Sequence, residues 1–112
     1  ANGRGVPRND EEANRLFQEA ADAGNSLSMR NLALSYNRGR GLPQDPAQAA
    51  YWMVQAALAG EERALEDLRE RPRQFTSQFW REFQRLMREE GRYQGRVDGI
   101  YGPATRASLE GL

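Results

Sequence analysis

Apolar residues recur along this chain with the spacing of amphipathic helices. Near the N-terminus, Leu16, Phe17, Ala20 and Ala21 fall on one face of a predicted helix. The same periodicity predicts further helices over Leu27–Asn37, Pro46–Ala59, Glu62–Arg69 and Thr76–Glu90, and a short last helix from Pro103. The pattern therefore predicts an all-α fold.

Polar residues and proline mark where several of these helices begin. Asn9 precedes the first helix and Glu12 follows three positions later, which is the pattern of a capping box. Asp45 and Gln48 repeat that pattern before the third helix, with Pro46 at the first helical position. We therefore expect side-chain caps at both helix starts.

Residues 39–60 repeat residues 3–24 at a shift of 36 positions, with nine of 22 aligned residues identical. Self-similarity at a period between 20 and 50 residues indicates a repeat array. Gly39 and Gly41 suit the turn between the helices because glycine readily adopts a positive φ. The chain is thus predicted to be part of an α-solenoid, opened by a Gly/Pro-rich loop at Ala1–Arg8.

The positions that carry a family likeness are Ala64-x-x-x-Leu68, Tyr36-x-x-Gly39-x-Gly41, Asp45, Ala49, Trp52, Ala56-Ala57 and Gly60. They resemble the Sel1-like repeat from Gly3 to about Arg69. The resemblance implies a right-handed solenoid of helix pairs that holds protein partners and performs no chemistry. Residues 1–70 are accordingly predicted to be a partial Sel1-like array.

Small alanines and one large residue per copy, Leu16 or Trp52, suit closely stacked helix pairs. We expect these large residues in the core. The array holds one full unit and two partial ones, whereas repeat proteins generally need about three units to close a core. We therefore also expect the native chain to continue N-terminally, with Leu16 and Phe17 near an open edge.

A second unit follows a Pro-broken joint at residues 69–74. Its predicted helix carries Phe83-Gln84-x-Leu86, and the loop after it reads Tyr93-x-Gly-x-Val-Asp-Gly-x-Tyr-Gly-Pro-x-Thr. Both stretches are similar to the peptidoglycan-binding repeat of bacterial wall proteins, over residues 75–112. The resemblance implies a small helical module, truncated here at Leu112, where the family usually continues.

This resemblance supplies the candidate ligand residues of the second unit. They are Tyr93, Asp98, Tyr101 and Arg106. Aromatic faces and arginine forks commonly contact ligands, which favours the two tyrosines and Arg106. Asp98 and Thr105 suit loop and cap hydrogen bonds better.

The charge of the chain limits the classes of partner that it is expected to bind. Sixteen basic and sixteen acidic residues give a net charge of zero, which argues against nucleic acid. Four arginines follow one face of the Thr76–Glu90 helix and the residues just after it: Arg81, Arg85, Arg88 and Arg92. They form either a solvated face paired with neighbouring glutamates, or a strip facing the carboxylates of peptidoglycan stem peptides.

The sequence offers no catalytic or metal site. It contains no Cys, His or Lys, so the commonest metal ligands and general bases are absent. Adjacent carboxylates such as Glu61 and Glu62 point apart on a helix and cannot flank one bond. We expect no cofactor, no metal and no catalysis. No apolar run approaches the ~20 residues of a membrane span, so no membrane contact is expected within this fragment.

The two resemblances together imply a non-catalytic scaffold of a bacterial envelope protein, at its periplasmic end. The repeats would bind a protein partner in a groove lined by Arg30, Asn31, Leu34 and Arg38, and residues 75–112 would bind peptidoglycan. The pairing of units is similar to the C-terminal region of alphaproteobacterial polarity proteins. Two alternatives stay open: the second unit only caps the solenoid, or the fragment is a regulatory or targeting tail of a larger enzyme.

Overall fold

The structure, a computed structural model, describes residues 9–112. The predicted loop at Ala1–Arg8 lies outside them. The described chain forms six α-helices and one 3-10 turn: α1 Asp10–Asp22, α2 Ser26–Arg38, α3 Pro46–Leu58, α4 Glu62–Glu70, the 3-10 turn Pro72–Gln74, α5 Ser77–Glu89 and α6 Pro103–Leu109. Residues 9–112 contain no strand, so the prediction of an all-α fold is confirmed.

Side-chain caps begin the helices where the sequence predicted them. The Asn9 carboxamide oxygen accepts from the backbone N–H of Glu12 at 2.9 Å. The Asp45 carboxylate does the same for Gln48 at 3.1 Å. Thr76, which was predicted to be the first residue of its helix, is instead the N-cap of α5. These bonds satisfy N–H groups that the first helical turn leaves without partners.

The turn between α2 and α3 requires glycine at both predicted positions. Gly39 has φ of 68° and Gly41 has φ of 76°. A Cβ atom on Gly41 would also lie 2.6 Å from the Cβ of Asp10, which is closer than real Cβ contacts come. The Asn14 side chain donates to the Arg40 carbonyl at 2.7 Å, which holds this turn against α1.

One hydrophobic core runs through both predicted units. α3 lies between α2 and α5, while α4 packs against α6. Ala49 and Ala56 are fully buried and let the neighbouring helices approach α3 closely. On the other side, Phe79 and Phe83 of α5 are also fully buried, and the cluster extends to Leu109 of α6. The second unit is therefore docked on the helix stack; the boundary between residues 1–70 and 75–112 stays a prediction.

Leu16 departs from the predicted core. Its side chain is 51 % exposed, whereas its repeat counterpart Trp52 packs partly buried against the core. The difference arises because α3 has a helix on each side, while α1 packs mainly against α2. The core assignment of Leu16 was wrong, and its exposure agrees with the predicted open edge.

Candidate partner-binding groove

The four residues predicted to line a partner groove come together on one surface. Arg30, Leu34 and Arg38 follow one another at intervals of four on α2, and Asn31 lies three positions before Leu34, so each of the four has a neighbour of the set one turn away. They line a groove of about 300 Å³ between α1 and α2. The rest of the lining comes from α1, the end of α2 and the turn after it: Asp10, Ala13, Asn14, Phe17, Ser35 and Arg40.

Arg30 has a structural task besides lining the groove. Its Nε and Nη2 donate to the Asp67 carboxylate of α4 at 2.7 and 3.2 Å, and the Asp67 side chain is 1 % exposed. Arg71 donates to the same carboxylate at 3.0 Å. A buried carboxylate needs such partners to compensate for its lost hydration. Arg30 thus fastens α2 to α4, and a substitution there would disturb folding.

Other residues of the groove carry hydrogen-bond donors that have no partner in residues 9–112. Arg38 and Arg40 are exposed, and neither guanidinium makes a hydrogen bond or ion pair to another residue in 9–112. Arg38 lies in the last turn of α2, where positive charge complements the helix dipole. Asn31 is half-buried in the lining; its carbonyl oxygen accepts from Arg30 at 3.5 Å, and its N–H₂ group has no acceptor in residues 9–112. This surface therefore offers donors to an incoming acceptor.

The helices that form the groove correspond to a known repeat. The family model for the Sel1 repeat matches residues 1–25 and 26–61, more than half of the 112-residue chain. The chain belongs to the Sel1 repeat family. The second match spans α2, the glycine turn and α3, which is one complete Sel1 helix pair, and the first match ends just after α1. The groove is thus formed where two Sel1 repeats meet.

Sel1 repeats generally mediate protein–protein interaction, and the repeat itself is non-catalytic. Neither a curated protein nor a solved structure matches the chain. In the described part of the chain, no helix is long and apolar enough to cross a membrane. The same residues hold no cluster of three or more acidic side chains arranged to bind a metal ion.

In the unit that follows the Sel1 repeats, one of the four candidate residues is buried, two are half-buried and one is exposed. Tyr93 is 4 % exposed, and its hydroxyl donates to the Arg96 carbonyl. Asp98 accepts from the Ile100 N–H at 2.9 Å, and this bond is the main reason why the pKa of Asp98 lies below its usual value. These contacts confirm that Asp98 is a loop hydrogen-bonding residue, as predicted. As ligand contacts, Tyr93 and Asp98 remain predictions.

Gln84 organises this loop, and the sequence reasoning missed its importance. Its side chain is fully buried in α5. The carbonyl oxygen accepts from the N–H groups of Asp98 and Gly99 at 3.0 and 2.9 Å. The N–H₂ group donates to the Ile100 carbonyl and to Thr105 Oγ1, both at 3.0 Å. Its position in the sequence could have revealed this role, because Gln84 lies four residues after the buried Trp80 and therefore on the buried face of α5.

Tyr101 and Arg106 are the remaining two candidates of this unit. The Tyr101 ring is half-buried against Trp80, with ring centroids 4.7 Å apart. Its hydroxyl is buried and has no hydrogen-bond partner within residues 9–112. Burial raises the pKa of Tyr101, while the nearby charges of Arg106 and Arg69 act in the opposite direction. Arg106 itself is exposed.

The arginine strip on α5 is largely engaged within the chain. Arg85 contacts Glu82 at 2.6 Å and Glu89 at 2.8 Å. Arg88 donates to the Gly95 carbonyl, and Arg92 to the Gly111 carbonyl at 3.4 Å. These contacts favour the interpretation of a solvated, internally paired face over an anion-binding strip.

Proposed function

We propose that this Sel1 repeat chain is a non-catalytic module that binds an extended segment of a protein partner in the groove between α1 and α2. The observation that carries the proposal is that Asn31, Leu34 and Arg38 meet in one groove, with donors that no residue in 9–112 occupies. The general use of Sel1 repeats in protein–protein interaction supports the same conclusion.

In this proposal, residues 75–112 seal one end of the helix stack. Phe79 and Phe83 cover α3 and are fully buried. The Arg69 guanidinium donates to the Leu109 carbonyl at 2.9 Å, which joins α4 to α6. Burial of two phenylalanine side chains contributes about 3–6 kcal/mol before entropy is counted, so the seal stabilises the surface that binds the partner.

Selection from a random peptide library displayed on phage tests the groove directly. Ala13 lines the groove and is half-buried, so Ala13→Phe fills the groove without changing its charge. Ala107 is exposed on α6, and Ala107→Phe is the matched control. We expect selected peptides to bind the wild type and the Ala107→Phe variant equally, and not to bind the Ala13→Phe variant. Peptides that bind all three proteins equally would contradict the proposal, provided that circular dichroism shows all three folded.

We propose peptidoglycan binding by residues 75–112 as a second candidate function, in a periplasmic protein of the bacterial envelope. Its support is the resemblance of the loop string, together with the exposed Arg106, whose charge acts on the nearby half-buried Tyr101. Co-sedimentation with purified sacculi tests it. The wild type should pellet, the Tyr101→Phe/Arg106→Ala variant should stay in solution, and Arg63→Ala should behave as the wild type. Equal sedimentation of all three, or of none, would count against this function.

A further inference from the structure

The groove between α1 and α2 carries unpaired positive charge at one end. Arg38 and Arg40 expose guanidinium groups that have no partner in residues 9–112, whereas the charge of Arg30 is compensated by Asp67. Asp10 is the acidic residue in the lining, so the two arginines outnumber it. Guanidinium forks match carboxylate oxygens better than any neutral acceptor. This end of the groove therefore suits a carboxylate.

The groove becomes apolar one helical turn away from the arginines. Leu34 lies four residues before Arg38 on α2, and Phe17 lies three residues after Asn14, whose side chain holds the Arg40 carbonyl. One turn corresponds to about 5.4 Å. Phe17 is half-buried, so part of its ring remains available to a ligand. An apolar side chain placed there would lie within a few ångströms of the bound carboxylate.

The length of the groove limits how many residues it can hold. Asn31 and Arg38 are seven positions apart on α2, which corresponds to about 10 Å along the helix axis. An extended segment advances about 3.3 Å per residue, so about three or four residues fit. The Asn31 N–H₂ group has no acceptor in residues 9–112 and can bind a backbone carbonyl at the far end.

We propose that the segment bound in this groove is acidic: an extended stretch that carries Asp or Glu within about three residues of an apolar side chain. The inference rests on the proposed function and names the partner chemistry. Two free arginines on a chain of zero net charge favour such a segment over nucleic acid, which needs many phosphate contacts for affinity.

Repeating the peptide selection with charge variants tests whether the bound segment is acidic. Arg38→Glu/Arg40→Glu reverses the groove charge, while Arg63→Glu/Arg81→Glu makes the same change at exposed residues elsewhere. We expect peptides selected on the wild type to be enriched in Asp or Glu beside apolar residues. Their affinity, measured by fluorescence anisotropy, should fall at least tenfold for the groove variant and less than twofold for the control. It should also fall between 50 and 500 mM salt because exposed charges are screened.

The outcomes separate this inference from the function on which it rests. Two results would overturn the inference of an acidic segment while leaving groove binding supported. In the first, peptides fail to bind Ala13→Phe but contain no carboxylates. In the second, peptides bind Arg38→Glu/Arg40→Glu as well as the wild type. If no selected peptide loses affinity for the Ala13→Phe variant, the proposal that the groove binds a protein segment is wrong. Light scattering that shows self-association abolished by the groove variant would identify a second copy as the occupant, against this inference. If the double glutamate variant does not fold, Arg38→Gln/Arg40→Gln gives the same test.

Discussion

The loop around Asp98 and the groove between α1 and α2 both hold polar side chains, but they use them in opposite ways. In the loop, Gln84, Asp98 and Thr105 bond one another and the nearby backbone. In the groove, Arg38 and Arg40 face solvent without a partner in residues 9–112. The comparison shows that a recognisable string of residues can owe its composition to folding. We therefore expect binding where donors remain unsatisfied.

The loop and the repeats also differ in the kind of polar side chain that they bury. The loop is centred on a neutral amide, Gln84, whereas the repeats enclose a charged carboxylate, Asp67, between Arg30 and Arg71. An amide that reaches several backbone groups orders a segment without the hydration cost of a charge. An ion pair fastens two helices but leaves a buried charge if one partner is removed. Substitutions at these two centres therefore test whether each region is organised as described.

The largest effect is expected from Gln84→Ala. The substitution leaves the N–H groups of Asp98 and Gly99 and the Thr105 hydroxyl without their buried partner, and each loss costs about 1–3 kcal/mol. We expect the free energy of unfolding to fall by about 3–4 kcal/mol in urea denaturation. Gln78→Ala, at an exposed position of α5, should change it by less than about 0.5 kcal/mol. A loss below about 1 kcal/mol for Gln84→Ala would show that the loop does not depend on this amide.

Arg30→Ala should have the next largest effect. It leaves the Asp67 carboxylate buried with Arg71 as its remaining partner, so the cost should be somewhat below the 3–5 kcal/mol of a fully broken buried pair. We expect a loss of about 2 kcal/mol by thermal or urea unfolding. Arg38→Ala, which removes an unpaired guanidinium from the same helix face, is the matched control and should cost less than about 0.5 kcal/mol. Similar losses for both variants would contradict the structural task assigned to Arg30.

Much of the fold could be predicted from local signals. The caps at Asn9 and Asp45 and the turn glycines at Gly39 and Gly41 depend on residues adjacent in sequence, so they can be read without tertiary information. Leu16 could not be placed in the same way. Its exposure depends on which helices cover α1, and that information is not contained in its own repeat.

The candidate groove was predictable only in part. Helical periodicity brought Arg30, Asn31, Leu34 and Arg38 to one face, as the structure shows. The pairing of Arg30 with Asp67 was not predictable, because the two residues lie on different helices 37 positions apart. Sequence alone could therefore collect the lining residues but could not tell which arginine keeps its charge available.

Tyr101→Phe should raise stability slightly, in contrast to the two losses above. The substitution removes a buried hydroxyl that has no partner in residues 9–112, so we expect a gain of up to about 1 kcal/mol at pH 7. Because burial raises the pKa of Tyr101 above its usual value of 10.0, the unfolded chain loses this proton at lower pH than the folded chain. Wild-type stability should decline as pH rises past about 10, and Tyr101→Phe should decline less steeply in urea unfolding at pH 7–11. Parallel pH profiles would show that the hydroxyl is solvated.

Arg85→Ala should have only a small effect, although Arg85 contacts two glutamates. Its contacts with Glu82 and Glu89 join residues three and four positions apart on an exposed helix face. Such pairs contribute about 0.3–0.5 kcal/mol each and weaken in salt. We expect a loss below about 1 kcal/mol at 50 mM salt that shrinks further at 500 mM salt, measured by thermal unfolding. Sacculus co-sedimentation should be unchanged, because the guanidinium is already occupied by its neighbours. A variant that folds normally but no longer pellets would restore the α5 arginine strip as an anion-binding surface. It would also remove the contrast between Arg85, which is paired within its helix, and the arginines of the groove.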